Sequence, residues 1–184
     1  RMAEILEAPD LIPVTKAHID GCIYTGPASL RFAELLAEWG GKVVVPTTLN
    51  AISVDQRRWR EQGTDPAIAV PASALADAYL RMGAEPSFTC APYLLARAPQ
   101  KGEDVVWAES NAVVFANSVL GARTMKYPDY LDICLALTGR APRAGCHIES
   151  NRRARIHIRV PRFEAVDDSF YPLLGYHCGY LAPA

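Results

Sequence analysis

Four short stretches of the chain hold side chains that can do chemistry. Thr47-Thr48-Leu49-Asn50 offers two hydroxyls and an amide, Cys90 a thiol, and Glu109-Ser110-Asn111 a carboxylate beside a hydroxyl and an amide. Asn117-Ser118, followed by Arg123, adds two more polar groups and an obligate cation. A carboxylate can move protons, a thiol can ligate iron or attack as a nucleophile, and an arginine fork grips a carboxylate at two points. For Cys90, preceded by Thr89 and followed by Ala91-Pro92, neither spacing nor composition separates iron ligand from nucleophile.

Regular elements must position these groups. Trp107 to Thr124 starts as the end of an apolar run, turns at Glu109-Ser110 and continues as a buried helix that Ser110 can cap. Ala112, Val113, Val114, Phe115, Val119 and Leu120 supply apolar surface all round it. Residues seven apart on a helix lie nearly above one another, so Ser110 sits under Asn117 and Asn111 under Ser118. Buried amides and hydroxyls cost free energy without partners, so this polar stripe either bonds neighbouring backbone or faces a ligand.

Elsewhere helices alternate with short apolar strands, the pattern of an α/β fold with short, mostly parallel strands and flanking helices. Ser29 to Trp39 is an amphipathic helix stopped by Gly40-Gly41, and Lys42 to Pro46 reads as a buried strand. Thr47-Thr48 would then lie at its carboxyl end, where open α/β sheets collect ligands, although a turn with self-bonded hydroxyls explains the residues equally well. Ser53 to Gln56 has capping-box spacing ahead of a short helix from Asp55 to Gln62. Helices follow over Pro71 to Met82 and Pro128 to Thr138, with a strand over Glu85 to Cys90 between them. Leu11 to Asp20 reads as a strand on which Lys16, His18 and Asp20 alternate and would share a face, His18 being solvated, core-satisfied or part of a site. Arg153 to Val160 alternates strictly between cation and hydrophobe, as a half-buried strand does.

At 184 residues and a net charge of -1 the chain has one domain's worth of sequence and no basic face for nucleic acid. Its apolar runs are too broken to span a membrane, and acids occupy the place of a signal peptide's apolar core. Five scattered cysteines with no Cys-x-x-Cys argue against a disulfide framework and for a reducing compartment, the cytoplasm. The chain opens inside what reads as a helix in progress and stops at Leu181-Ala-Pro-Ala184 without a closing element, so a piece of a longer protein is expected.

Val45-Pro-Thr-Thr-Leu-Asn50, Thr89-Cys-Ala-Pro-Tyr-Leu94 and Trp107-Ala-Glu-Ser-Asn111 with Ala116-Asn-Ser-Val-Leu-Gly-Ala-Arg-Thr124 resemble, in order, the signature segments of the aconitase X family. Met125-Lys-Tyr-Pro-Asp-Tyr-Leu-Asp-Ile-Cys134 resembles the bacterial branch associated with cis-3-hydroxy-L-proline dehydration. The resemblance spans nearly the whole chain. It implies an aconitase-like catalytic region over residues 1–184 and a hydro-lyase using an iron or iron–sulfur centre. The substrate would lose its Cα proton and C3 hydroxyl, and the enamine would tautomerise to 1-pyrroline-2-carboxylate. Carried onto this chain, Cys90 becomes a cluster ligand, and Glu109, Ser110 and Asn111 the catalytic group. Thr47, Thr48, Asn50, Asn117, Ser118 and Arg123 become the substrate-binding set, with Arg123 on the carboxylate.

At least two of Ser110, Asn111, Asn117 and Ser118 should then share a cavity with Cys90. Aconitase-type clusters use three cysteines, and only Cys90 lies in a matched segment. The other ligands and a swivelling domain carrying the base are expected elsewhere, in the same or a separate chain. Mevalonate 5-phosphate is the other substrate this family implies. A fragment that needs a partner segment, and an unrelated nucleophile enzyme built on Cys90 and His18, are the remaining readings.

Overall fold

The structure, a computed structural model, describes residues 1–182; Pro183 and Ala184 of the expected open end lie outside the described residues. It divides into two compact units, residues 1–151 and residues from 152 onward. In the first, three short parallel strands form a sheet in the order β3-β2-β4: β2 is Ala17–Ile19, β3 Thr47–Leu49 and β4 Val106–Trp107. A separate antiparallel pair joins β1, Leu11–Pro13, to β5, Arg140–Pro142. The expected Leu11 to Asp20 strand is thus two strands in two sheets, parted just after Pro13, which has no N–H to continue a ladder.

One face of the parallel sheet is the core. Ile19, Leu49 and Val106 pack there with Leu75, Tyr79 and Met82 of α3 (Pro66–Arg81) and Ile133 of α5 (Leu131–Thr138), and α2 (Pro27–Glu38) adds Ala33. Helix α3 starts five residues before the expected Pro71, because Asp65 accepts a hydrogen bond from the Ala67 N–H and Pro66 occupies the first turn. Pro71 lies inside it and forgoes the bond to the Ala67 carbonyl.

The expected strand over Lys42 to Pro46 is displaced onto Thr47–Leu49. Val43 and Val44 donate their N–H groups to the helix-end carbonyls of Met82 and Ala136, so ladder pairing begins only where Pro46 accepts from Ala17. Glu85 to Cys90 likewise runs beside β3 without becoming a strand. Its amides at Glu85 and Thr89 donate to the carbonyls of Thr47 and Leu49, but the Ser87 hydroxyl takes the Leu49 N–H and shares its C=O, and Phe88 turns the chain at φ 42°. Asp55 to Gln62 forms turns rather than a helix; the Ser53 hydroxyl of the expected capping box accepts from the Tyr24 N–H, and the Asp55 carboxylate caps the Arg57 and Arg58 amides instead.

Trp107 to Thr124 becomes β4, then α4 (Ser110–Phe115), then a π-helical turn over Ala116–Leu120 closed by Gly121 at φ 70°. It is not buried all round. Ala112 and Ala116 face a small core with Val105, Trp107 and Ala122, whereas Val114 and Val119 are each 64% exposed.

In the second unit, the alternating Arg153 to Val160 pairs with no strand among the described residues, and Ile156 and Val160 stand exposed. The glycine-punctuated segment after it forms a helix, α6 (Phe170–Leu181). No helix among the described residues is long and apolar enough to cross a membrane.

Candidate active site at the strand carboxyl ends

Parallel pairing puts Ala17 beside Thr47 and Val106, and His18 beside Thr48 and Trp107. Side chains alternate along a strand, so His18, Thr48 and Trp107 share the face away from the main core. The chain leaves the sheet at Asp20, Asn50 and Ala108-Glu109, all at the carboxyl ends of parallel strands, the usual ligand crevice of such sheets.

Those three exits are tied together. The Asn50 amide donates to Asp20 Oδ1 over 2.7 Å. Lys126 Nζ reaches Asp20 Oδ2 at 3.2 Å and also donates to the Ala108 carbonyl, clamping β2 to β4. From α5, buried Asp132 accepts from the N–H groups of Asp20 and Gly21 at 2.8 and 3.0 Å. Burial pushes the Asp132 carboxyl up to about 6, against the pull of its backbone donors.

Behind the exits sits His18, with no solvent exposure. Its Nδ1 lies 2.8 Å from Thr48 Oγ1 and its Nε2 3.3 Å from Glu109 Oε2. Burial pushes the imidazole down to about 4, with Asp20 opposing, so His18 is neutral at pH 7. Glu109 is held above the ordinary carboxylate range, first by desolvation; a hydrogen bond from the Cys90 thiol pulls it down, Asp20 raises it and Lys126 lowers it. Cys90 is exposed, and partial desolvation and the Glu109 carboxylate both raise its thiol. That is the reverse of an activated thiolate, and His18 faces Glu109 instead of Cys90, so the geometry does not assemble a cysteine–histidine nucleophile.

The residues singled out in the sequence land in different places. Glu109, Asn50 and Cys90 meet at the crevice, and Asn111 joins them by donating its amide to the Cys90 carbonyl over 2.9 Å. Thr48 belongs to the His18 network. Thr47 turns to the core side and donates to the Val45 carbonyl. Ser110 is exposed in the first turn of α4, and the N-cap position falls to Glu109. Asn117 donates to the carbonyls of Val113 and Thr124, tying the helix to the segment after it, and Ser118 donates to Val114.

The four side chains of the polar stripe part ways: the Asn111 amide bonds the Cys90 carbonyl, Ser110 is exposed, and Asn117 and Ser118 bond backbone carbonyls. The seven-residue stacking assumed α-helical turns throughout, and the π turn at Ala116–Leu120 adds a residue and breaks it. Arg123 is engaged by Glu149 at 2.5 Å. His18, Asp20, Lys126 and Asp132 complete the candidate site and were weakly signalled; the alternation of His18 with Asp20 and the Cys90–His18 nucleophile reading pointed to two of them.

The same sheet face opens into a cavity of about 350 Å³ lined by Thr48, Trp107, Pro46, Pro92 and Leu95, which Cys90, Glu109 and Asp20 do not line. As metal donors, the described residues bring one thiol to the crevice, and no group of three His, Cys, Asp or Glu side chains among them is placed to hold a metal ion.

Residues 1–150 match the family described as the aconitase X first domain. The chain is 65% identical to a cis-3-hydroxy-L-proline dehydratase of Hypocrea jecorina over 99% of its own length and 31% of that protein. It is 66% identical to one of Pseudomonas aeruginosa over 98% of its length and 31% of that protein. A phosphomevalonate dehydratase large subunit of Methanothermobacter thermautotrophicus is 36% identical, across 98% of this chain and 45% of that one. The crystal structure of Thermococcus kodakaraensis aconitase X in its holo-form aligns with a TM-score of 0.81 at 32% identity, covering 98% of this chain and 45% of that chain. The chain therefore spans about a third of the length of the hydroxyproline dehydratases it matches.

Proposed function

Because the chain belongs to the aconitase X family, we propose that it forms part of a hydro-lyase that dehydrates cis-3-hydroxy-L-proline to 1-pyrroline-2-carboxylate. The observation that carries the reading is the crevice itself. Glu109 stands there with Asp20, Asn50 and Lys126 at the ends of three parallel strands, backed by a neutral buried histidine. Identity favours the substrate, being 65% and 66% to two hydroxyproline dehydratases against 36% to a phosphomevalonate dehydratase subunit. The cation supply agrees, since Lys126 is shared with Asp20 and Arg123 with Glu149, leaving little for a phosphate.

In this reading Glu109 moves a proton of the elimination, its raised pKa bringing it closer to neutral pH. Lys126 takes the substrate carboxylate in preference to Arg123, because it already stands at the strand ends. Asn50 and Asn111 orient the ring and hydroxyl. An iron or iron–sulfur centre, where bound, would supply Lewis acidity to the leaving hydroxyl, with Cys90 as one donor. The described residues do not make a complete set of ligands, so no step is routed through it. The partner is the remainder of the catalytic region and a swivelling domain. Exposed Leu94, Val114 and Val119 offer them apolar surface.

The test is anaerobic reconstitution of the full-length protein with iron and sulfide, followed by assay on both candidate substrates. Turnover of cis-3-hydroxy-L-proline is expected. Preference for mevalonate 5-phosphate would refute the substrate.

A further inference from the structure

The sheet places a neutral imidazole between a hydroxyl and a carboxylate, and the hydrogens can be counted. Neutral His18 carries one hydrogen for its two nitrogens, and Thr48 carries one on Oγ1. Thr48 Oγ1 has two acceptors in reach, His18 Nδ1 at 2.8 Å and the Ala17 carbonyl at 3.3 Å. If the ring hydrogen sat on Nδ1, the bare Nε2 lone pair would face the Glu109 carboxylate oxygen, 3.3 Å away, with no hydrogen between them. That arrangement is repulsive whenever Glu109 is ionised. If it sits on Nε2, the ring donates to Glu109 Oε2, and the Thr48 hydroxyl donates to Nδ1 along its shorter contact. Every donor then meets an acceptor.

From this geometry we infer that His18 is a positioning residue for Glu109. The Glu109 carboxylate, which only accepts, selects the Nε2–H tautomer, and Thr48 completes it by donating to Nδ1, so that the ring holds Oε2 and sets the direction in which Glu109 faces the crevice. The register of the sheet enforces the pair, because His18 and Thr48 are direct neighbours on adjacent parallel strands and Trp107, 6.1 Å away centroid to centroid, packs its edge against the ring. The inference rests on the reading of Glu109 as the group that moves a proton. It goes beyond that reading by assigning the orientation of that group to two residues that need not touch substrate.

The test uses the full-length, iron-loaded protein. Nitrogen-15 NMR of labelled histidine, with His18 assigned by its loss in H18Q, should show the hydrogen on Nε2, and a hydrogen on Nδ1 in the wild type would overturn the inference. Gln can place a donor where Nε2 stands, whereas Asn reaches only the Nδ1 position. A hydrogen bond to a charged group corresponds to about a 10- to 100-fold change. H18N should therefore lose that factor in kcat with KM within about twofold, and H18Q should recover much of it. Equal, near wild-type kcat in both variants would also overturn the inference.

Thr48→Val, close in shape, keeps the test alive if the His18 variants do not fold. It should remove the donor to Nδ1, loosen the ring and lower kcat with KM little changed while the hydrogen stays on Nε2, and Thr48→Ser should restore kcat. A kcat in T48V equal to wild type would overturn the part given to Thr48. A wild-type protein inactive on cis-3-hydroxy-L-proline would remove the substrate reading, while the tautomer measurement would still decide this one.

Discussion

Among the described residues two histidines are buried, each set between a hydroxyl and a carboxylate. At the carboxyl end of β4, His18 lies between Thr48 and Glu109, 2.8 and 3.3 Å away. Before the amino end of β4, His147 lies between Tyr127 and Asp104, 2.5 and 2.7 Å away. The second trio is closed on both sides, joining Tyr127 and the turn at 145–147 to the residue that leads into β4. In the first, the carboxylate contact is slack, and Glu109 also serves Cys90 and faces the crevice. The same three kinds of group thus make a latch where all contacts are satisfied and a candidate catalytic arrangement where one is left loose at a strand's carboxyl end.

The comparison breaks most sharply at the carboxylates. Glu109→Gln should lower kcat by about 10²- to 10⁴-fold with the protein still folded, as loss of a proton-moving group does. A drop in thermal stability with kcat intact would make the first trio a latch like the second.

Next comes pH. With His18 held at about 4 against 6.5 unfolded, the unfolded chain binds more protons between those values. The stability contributed by His18 should therefore fall as pH drops from about 6.5 to 4, by a total on the order of 3 kcal/mol. Asp132, raised to about 6, acts in the opposite sense over much of that window, losing stability as pH rises. The difference between denaturation curves of wild type and H18Q isolates the histidine. An H18Q difference that stays flat with pH would refute its buried, neutral state.

For the cations, Lys126→Met should raise KM by about tenfold or more, whereas Arg123→Leu, which breaks an ion pair with a mostly exposed glutamate, should change it little. The reverse order would return the carboxylate to Arg123. The smallest effect belongs to the latch, where Tyr127→Phe should cost about 1 kcal/mol in urea denaturation and leave kcat unchanged. A fall in turnover would give the second trio a part in the chemistry.

Much of this was legible along the chain. The glycine stops after α2, α3 and α5 are where the helices end, with Gly40, Gly83 and Gly139 all at positive φ. Cys90, Glu109, Asn50 and Asn111 come from the segments picked for their residue types. Other readings failed for local reasons that pattern does not carry: an amide drawn to a helix end at Val43, a serine side chain replacing a strand at Ser87, and backbone carbonyls of Val113, Val114 and Thr124 that take up the Asn117 and Ser118 side chains.

What the sequence determined by itself is therefore the family, the alternation of helices with short strands, and the short segments from which the crevice is made. The tertiary structure alone decided which of their side chains meet. His18 bonds Glu109 across 91 residues of sequence, Lys126 bonds Asp20 across 106, and Asn50 bonds Asp20 across 30. Hydrophobic periodicity specifies which face of an element is buried. The partner of a polar side chain depends on which strands are neighbours and in what register, and a slip of one residue would have turned His18 into the core and Ala17 toward Glu109.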